Sequence, residues 1–217
     1  MRPLVPALFI ELPGPGGDDG RAWAFGRSRH HLALGPGLCA PFESAPSPRT
    51  PTSESFLRVD ETYVRVAGNW TYLYRAVDSA GDTIDFMLSP KRDLTAAKRF
   101  LRLALSGTGG VRPRVINVDG HPAYARAIAE LKRSGDLGRR CRCRPSPYLN
   151  NIIEQDHRFI KKRIVASLGF RSAEGAWRTI DGYEAMHVIR KGQIRWLAKG
   201  DVVGQRQFIH ALFGIAA

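Results

Sequence analysis

The sequence is poor in cysteine and lacks a long apolar run, and each shortage excludes a class of protein. It holds three cysteines, and Cys141 and Cys143 stand closer together than zinc ligands usually do. We therefore expect free thiols in a reducing compartment rather than a disulfide framework or a zinc site. No run of about 18 apolar residues is present, so no membrane-spanning helix is expected. Prolines interrupt the short apolar run at the N-terminus, which argues against a secretory signal.

Acidic residues are scarce relative to basic ones. The chain has 20 Asp and Glu against 33 Lys and Arg, which gives a formal net charge of +13. Residues 1–55 hold five residues of each sign, so the whole excess of positive charge lies in 56–217. Such an excess predicts a polyanionic partner, and nucleic acid is the commonest one.

Composition divides the chain at about residue 55. Residues 1–55 contain nine of the 14 prolines and seven of the 22 glycines, a composition typical of loops and disordered segments. We expect this part to be irregular or partly disordered. Residues 56–217 are expected to form one α/β domain, because they are long enough to bury a sizeable core.

Residue periodicity after position 55 predicts a mixed sheet. Runs rich in β-branched and aromatic residues, separated by turn signals, indicate three antiparallel strands and then two strands that alternate with helices. The predicted strands are 58–66, 70–78, 82–89, 114–118 and 139–144, and the predicted helices are 93–105, 121–134, 148–167 and 173–191. This order is that of the ribonuclease H-like fold, a mixed five-stranded sheet flanked by helices, in which the first and fourth strands are neighbours.

Three acidic residues lie where this fold would bring them together. Asp60 is in the first strand, Asp119 ends the fourth, and Glu154 lies on the helix that follows the fifth. Carboxylates from two strands and one helix can hold divalent metal ions for phosphodiester chemistry. Structural alternatives remain, with Asp60 as a surface acid and Asp119 as a helix cap. Asp156 is an alternative to Glu154, although it points about 160° away from the helical face that carries Glu154.

The helix that carries Glu154 also presents basic side chains. Glu154, His157 and Lys161 share one helical face, which suits either a site for metal and phosphate or a solvated face with ion pairs. The run 139–144 is the densest basic patch, and it suits either DNA-backbone contact or a charged edge strand that resists aggregation. The candidate DNA-binding residues are His157, Lys161, Lys162, Arg163, Arg142 and Arg144.

Tryptophan can stack on bases or pack in a core. We expect Trp70, Trp177 and Trp196 to pack in the core or at the domain edge rather than to serve as stacking platforms.

Several strings match one known family in order along the chain. They are V-D-E-T-Y-V at 59–64, Y-L-Y-R-A-V-D at 72–78, V-D-G-H-P-A-Y at 118–124, Y-L-N-N-I-I-E-Q-D-H-R-F-I-K-K-R at 148–163 and G-Y-E-A-M-H-V-I-R-K-G-Q at 182–193. From Val59 to the C-terminus the chain resembles the DDE transposases of bacterial insertion sequences, specifically insertion-sequence family 6. The 34 residues between Asp119 and Glu154 match the signature of that family. Lys161, the basic residue seven positions after Glu154, belongs to the same signature.

The resemblance implies a site and a function. Asp60, Asp119 and Glu154 would be the catalytic, metal-binding acids, with two Mg²⁺ ions expected and Mn²⁺ as a substitute. The enzyme would cleave DNA at the ends of an insertion sequence and transfer the resulting 3′-hydroxyl to target DNA. Its partners would be these DNAs and further copies of the chain, as a homodimer or higher oligomer. It would act in the bacterial cytoplasm with the nucleoid, and not at a membrane.

The N-terminal part departs from the family pattern. Family members carry a helix-turn-helix module there that reads the terminal repeats, whereas residues 1–55 show no such pattern and have no net positive charge. We therefore expect an unrelated segment joined to a truncated DDE domain. Two alternatives are a catalytically idle DNA-binding remnant and another ribonuclease H-like nuclease. Divalent-metal dependence of cleavage separates an active enzyme from the remnant.

Overall fold

The computed structural model describes residues 25–26, 56–108, 110–146, 151–166, 169–194, 196–213 and 215. For 25–26, 151–152, 154–157 and 166 this description covers the backbone and not the side chain. Apart from 25–26, the predicted irregular segment 1–55 therefore lies outside the described residues. The domain boundary at residue 55 stays a prediction.

The described strands form one mixed sheet. They are β1 (Phe25–Gly26), β2 (Phe56–Val66), β3 (Asn69–Val77), β4 (Thr83–Ser89), β5 (Val115–Val118) and β6 (Arg142–Pro145), in the order β1-β4-β3-β2-β5-β6. β2, β3 and β4 form an antiparallel meander, and β5 and β6 run parallel to β2. The first long strand therefore lies beside the fourth, which confirms the predicted ribonuclease H-like fold with its five-stranded sheet.

The short strand β1 adds to the five predicted strands at one edge of the sheet. Its two residues pair antiparallel with Leu88 and Met87 of β4. The sequence does not predict β1, because a segment rich in proline and glycine shows no strand periodicity.

The first four helices begin and end close to their predicted bounds, and a fifth helix follows them. They are α1 (Leu94–Ser106), α2 (Pro122–Arg133), α3 (Asn151–Ala166), α4 (Ala173–Lys191) and α5 (Val202–Leu212). Asp93 begins α1 as predicted, because its side chain accepts a hydrogen bond from the Ala96 N–H at 2.8 Å. Gly120 has a φ of 96°, a conformation that suits glycine and lets the chain turn from β5 into α2.

The last helix, α5, is the described helix that periodicity does not predict. None of its side chains is buried, so it has no apolar stripe that faces a core. Among the described helices, α5 included, none has the combined length and hydropathy that crossing a membrane requires.

Helices cover the two faces of the sheet in pairs. α1 and α2 pack on one face over buried residues such as Val59 and Tyr74, and this is the first core. α3 and α4 pack on the other face, over Val64 and Leu73, and form the second core. Burial of these apolar side chains stabilises the fold by about 25 cal/mol per Å² removed from water. Each face of β2 thus contributes residues to a core, and this strand positions the candidate site.

Polar contacts also tie α4 to the sheet. Arg75 of β3 and Glu184 of α4 form an ion pair with 2.7 Å between nitrogen and oxygen, and both side chains are buried. Beyond the end of α4, the Gln193 side chain accepts from the Thr83 N–H and donates to the Thr83 carbonyl, each at 3.1 Å. Gln193 therefore pairs with β4 much as a neighbouring strand would.

Candidate active site

Two of the three predicted catalytic acids meet where β2 and β5 lie side by side. These parallel strands pair Arg58 with Asn117, and continuing the register by two residues sets Asp60 opposite Asp119. Asp119 is the first residue after β5, at the end of the strand. The structure therefore brings Asp60 and Asp119 together, as the strand order predicted.

A carboxylate that sequence analysis missed joins this pair. Oxygen atoms of Asp60, Glu61 and Asp119 lie within 4.8 Å of one another, and we call these three residues the carboxylate cluster. Alternation along a strand predicts that Glu61 points to the face opposite Asp60, so the sequence alone does not nominate it. The adjacent acids of the V-D-E string are the signal that points to it.

Arg92 links two members of the carboxylate cluster with one guanidinium group. It lies in the loop between β4 and α1, one residue before the Asp93 cap. Its Nε donates to Glu61 Oε1 at 2.5 Å, and its Nη2 donates to Asp119 Oδ2. Because the guanidinium fork is planar and rigid, Arg92 sets the spacing between these two carboxylates.

The start of α2 supplies further hydrogen bonds to the carboxylate cluster. The Tyr124 hydroxyl donates to Glu61 Oε2 at 2.7 Å, and the His121 N–H donates to Asp119 Oδ1 at 2.9 Å. The residue that caps α2 is His121, whose Nδ1 accepts from the Ala123 N–H at 3.4 Å. Asp119 thus holds the start of α2 with one oxygen and turns the other toward Arg92.

Burial and hydrogen bonding act in opposite directions on Glu61. Burial raises its pKa, the hydrogen bonds from Tyr124 and Arg92 lower it, and the net result is a raised pKa. Burial, followed by the charge of Glu61, raises the pKa of Tyr124 well above its ordinary value, so its hydroxyl remains a donor. Burial lowers the pKa of Arg92, but the hydrogen bond and charge of Glu61 outweigh it and the pKa is raised. The carboxylate cluster therefore faces a permanent cation and a neutral donor.

Glu154, the third predicted acid, lies in the first turn of α3. Ile153 and Ile160 are fully buried and Ile164 nearly so, which confirms the predicted apolar stripe at these positions. The side chain of Glu154 lies outside the described part of the chain, and so does that of the alternative acid, Asp156. The assignment of Glu154 stays a prediction.

The basic residues of α3 differ in what they contact. Lys161 and Lys162 are exposed, whereas Arg163 lies over the Phe159 ring with its guanidinium carbon 4.0 Å from the centroid. His157 is on the same helix, but its side chain is not among those described. A role in DNA binding stays a prediction for these four basic residues.

The edge strand β6 presents its arginines on one face. Arg142 and Arg144 are exposed, while Cys143 between them packs against the first core. Alternation along the strand therefore puts both arginines on the side of the sheet that α3 and α4 cover. β6 lies at an edge of the described sheet, as one of the two alternatives for 139–144 requires, and DNA contact by Arg142 and Arg144 stays a prediction. Cys141 and Cys143 are free thiols, as expected, and burial raises the pKa of Cys141 to about 11.

The tryptophans differ from expectation. Trp177 packs against the second core, as predicted. Trp70 is 65% exposed and Trp196 is 84% exposed, so the prediction that they pack was wrong for both. Local sequence does not show which parts of a strand or loop remain uncovered by helices.

A family model and two transposases match most of the described part of the chain. Residues 54–193 match the family model of the DDE domain of IS240-type transposases. Over 140 residues the chain is 37% identical to the transposase for insertion sequence-like element IS431mec of Staphylococcus aureus, and equally to the transposase for insertion sequence element IS257 in transposon Tn4003 of the same species. Each match covers 64% of this chain and 60% of the relative, so the chain spans less than two thirds of these transposases.

More distant likenesses come from solved structures. The HTLV-2 integrase catalytic core domain in complex with magnesium is 16% identical with a TM-score of 0.47, covering 70% of this chain and 100% of that one. The Mos1 strand transfer complex is 15% identical with a TM-score of 0.35, covering 60% of this chain and 52% of that one. At this distance the likeness assigns neither activity nor partner. The family model spans more than half of the sequence and includes Asp60, Asp119 and Glu154, and the chain therefore belongs to the DDE domain family of insertion-sequence transposases, in insertion-sequence family 6.

Proposed function

We propose that this chain is a DDE transposase that cuts DNA at insertion-sequence ends and joins the 3′-hydroxyl to target DNA, with 56–217 as its catalytic domain. The observation that carries the proposal is the meeting of Asp60 and Asp119 from two separate strands of a DDE domain. The relatives with 37% identity are transposases. Because the chain spans 60% of their length, the activity of the whole protein is part of the proposal.

We propose Glu154 as the third acid because the backbone geometry supports it. Ile164 of α3 packs with Val64 of β2 in the second core. Glu154 lies ten residues before Ile164, which is about 15 Å along the helix. Asp60 lies four residues before Val64, which is about 13 Å along the strand. The chain beyond α3 hydrogen-bonds to the far end of β2, so the first turn of α3 lies toward Asp60.

A divalent metal fits the carboxylate cluster in donor type and in charge. Carboxylate oxygens are the hard ligands that Mg²⁺ prefers. When all three acids are ionised, the single positive charge of Arg92 leaves two negative charges, and Glu154 would add a third, so the site has an excess of negative charge that divalent cations would offset. We infer that Asp60, Asp119 and Glu154 hold the metal. Bound Mg²⁺, as two ions with Mn²⁺ as a substitute, would supply Lewis acidity at the attacking and leaving oxygens of the phosphate.

The neighbouring residues keep the carboxylates in place. Arg92 orients Glu61 and Asp119 toward each other, and Tyr124 holds the second oxygen of Glu61. The His121 N–H fixes the second oxygen of Asp119. Because these bonds already exist, the acids need little rearrangement when a cation or a DNA phosphate approaches.

Exposed cations beside the site suit the DNA backbone. β6 and α3 both present basic side chains, and the excess of positive charge in 56–217 supports binding of a polyanion. The proposed DNA contacts are Arg142, Arg144, His157, Lys161, Lys162 and Arg163. Since two element ends must be joined to one target, we expect a homodimer or higher oligomer on DNA, associated with the nucleoid in the bacterial cytoplasm.

A strand-transfer assay tests this function. The purified chain is mixed with pre-cut DNA ends that carry 3′-hydroxyls and with plasmid target, in Mg²⁺ or in EDTA, beside Asp119→Asn. We expect joined products only with metal, and about 100-fold less product from the variant, because a charged ligand is lost. Asp136→Asn is the matched control, since Asp136 pairs with Arg102 on an exposed surface. Joining by Asp119→Asn at the wild-type rate would contradict the proposal, and DNA binding without joining would favour the idle remnant.

A further inference from the structure

The β2–β3 hairpin carries an aromatic face that the proposed reaction does not use. We call Tyr63, Arg65, Trp70 and Tyr72 the hairpin platform. The strand register pairs Tyr63 with Tyr72 and Arg65 with Trp70, so all four lie on one face. The Tyr63 ring centroid is 5.1 Å from that of Tyr72 and 6.4 Å from that of Trp70, and the Arg65 guanidinium carbon is 5.9 Å from the Trp70 ring. The rings form one cluster in which Trp70 packs edge to face with Tyr63 and Tyr72 is tilted against it, with a cation beside the Trp70 ring.

The hairpin platform is exposed although the opposite face of the same strands is buried. Trp70 is 65% exposed and Tyr63 is 53% exposed, whereas Val64 and Leu73 on the other face are 1% and 0% exposed. α1 and α2 cover the platform side of the sheet as far as Tyr72, which is partly buried against the first core, and leave Tyr63 and Trp70 exposed. Large rings gathered at an exposed position are typical of a binding surface.

The hairpin platform begins beside the carboxylate cluster. Glu61 stands two residues before Tyr63 in β2, on the same face by alternation. Because a strand rises about 3.3 Å per residue, Tyr63 lies about 7 Å and Arg65 about 13 Å from Glu61 along β2. The second distance is close to the length of about four base steps of a stacked DNA strand. A strand whose phosphate lies at the carboxylate cluster can therefore continue over the platform.

We propose that the hairpin platform stacks unpaired nucleotides of DNA next to the carboxylate cluster, an inference that rests on the proposed function. Aromatic rings stack on bases of any sequence, provided that the base faces are not already occupied within a duplex. Arg65 is exposed on the platform and Lys91 is exposed beside Arg92, whereas Glu61, the acid on the same face, belongs to the carboxylate cluster and is held by Arg92. Rings together with cations suit bases together with phosphates, and this charge complementarity favours DNA over an apolar protein partner.

Binding to tailed DNA in EDTA tests the proposal with the full chain. One probe is a duplex that ends in four unpaired nucleotides, with 2-aminopurine in the tail. The other probe carries an abasic tail with the same phosphates, so the difference in affinity reports on base stacking alone. We expect the wild type to prefer the base-containing tail by about 5- to 100-fold, and we expect 2-aminopurine emission to change on binding.

Variants of the platform give the decisive comparison. Trp70→Ala and Tyr63→Ala should each lose most of this preference, while Trp70→Phe keeps much of it. Trp196→Ala should keep it, because Trp196 is 84% exposed but stands outside the platform. Two variants are used so that misfolding of either one, detected by thermal unfolding, leaves the other to decide.

The outcomes separate this inference from the proposed function. If folded Trp70→Ala and Tyr63→Ala keep the wild-type preference for the base-containing tail, the proposal that the platform stacks nucleotides is overturned, even if the protein joins DNA. Loss of self-association in Trp70→Ala, with DNA preference intact, also overturns it and assigns the face to a second copy of the chain. A platform-dependent preference in a protein that joins no DNA supports the platform and contradicts only the proposed enzyme activity.

Discussion

One guanidinium group sets the spacing of two carboxylates at the proposed site. Arg92 reaches Glu61 and Asp119 with different nitrogens of the same planar group. Lysine carries the same charge on a single ammonium, which cannot hold two carboxylates in fixed directions. The geometry of the carboxylate cluster thus depends on the shape of Arg92 as well as on its charge.

The substitution Arg92→Lys tests this dependence. We expect strand transfer to fall by about 10- to 100-fold, because a misplacement of about 1 Å at a reacting centre has effects of that size. Initial joining rates in Mg²⁺ measure the effect, and thermal unfolding checks the fold. Arg102→Lys is the control, since its exposed pair with Asp136 lies outside the cluster. A wild-type rate for Arg92→Lys would show that charge alone is enough.

Side chains at the site differ in how far the sequence predicts them. Asp60 and Asp119 are predictable, because motif and strand order both bring them together. Glu61 is not, since simple alternation assigns it to the other face of β2. Arg92 is not predictable either, because its contacts depend on the path of a loop that has no periodicity.

At the scale of elements, a buried ion pair joins β3 to α4. The Arg75 and Glu184 side chains are 0% and 1% exposed, with 2.7 Å between their charged atoms. Both charges lost their hydration on folding, and each compensates for the other in a region of low dielectric constant. Removal of one partner therefore takes its closest described counter-ion away from a buried charge.

This contact predicts a difference between single and double variants. Arg75→Met should lower the free energy of unfolding by about 3–5 kcal/mol, and adding Glu184→Met should recover much of that loss. Urea unfolding at neutral pH measures both. Arg178→Met is the matched control, because its pair with Glu174 is exposed and is expected to contribute less than about 1 kcal/mol. A double variant no more stable than Arg75→Met would refute this explanation.

The described helices with a buried stripe are the ones that the sequence predicts. α1 to α4 each bury apolar side chains, and their bounds fall close to the predicted ones. α5 buries none, and β1 has two residues in a segment rich in glycine and proline, so neither leaves a periodic signal. Trp70 shows the same limit, because helix coverage of the hairpin is a tertiary property that strand propensity does not contain.

At the scale of the whole molecule, the net charge of +13 lies entirely beyond residue 55. This excess predicts affinity for duplex DNA that falls steeply with salt, because each neutralised phosphate releases counter-ions. The exposed arginines of β6 stand on the side of the sheet that α3 covers, and the exposed Arg126 stands on α2, over the other face. The distribution of charge, rather than its total, thus decides which face binds.

Salt dependence of binding to paired DNA tests that distribution. For the double variant Arg142→Ala and Arg144→Ala, the slope of log affinity against log salt should become shallower by about 1 to 2. Fluorescence anisotropy between about 50 and 200 mM salt gives the slope. Arg126→Ala should leave it unchanged. Equal slopes for the double variant and the wild type would show that Arg142 and Arg144 do not contact the DNA backbone.

Exchange of one proposed metal ligand for a softer one tests the central claim most directly. Asp119→Cys and Asp119→Asn are compared with the wild type in strand transfer, with Mg²⁺ and with Mn²⁺. A thiolate is a poor ligand for Mg²⁺ and a more acceptable one for the softer Mn²⁺. We predict that both variants lose joining with Mg²⁺, and that Asp119→Cys alone recovers part of it with Mn²⁺. Wild-type joining by both variants in Mg²⁺ would contradict the claim that Asp119 holds the metal for DNA strand transfer.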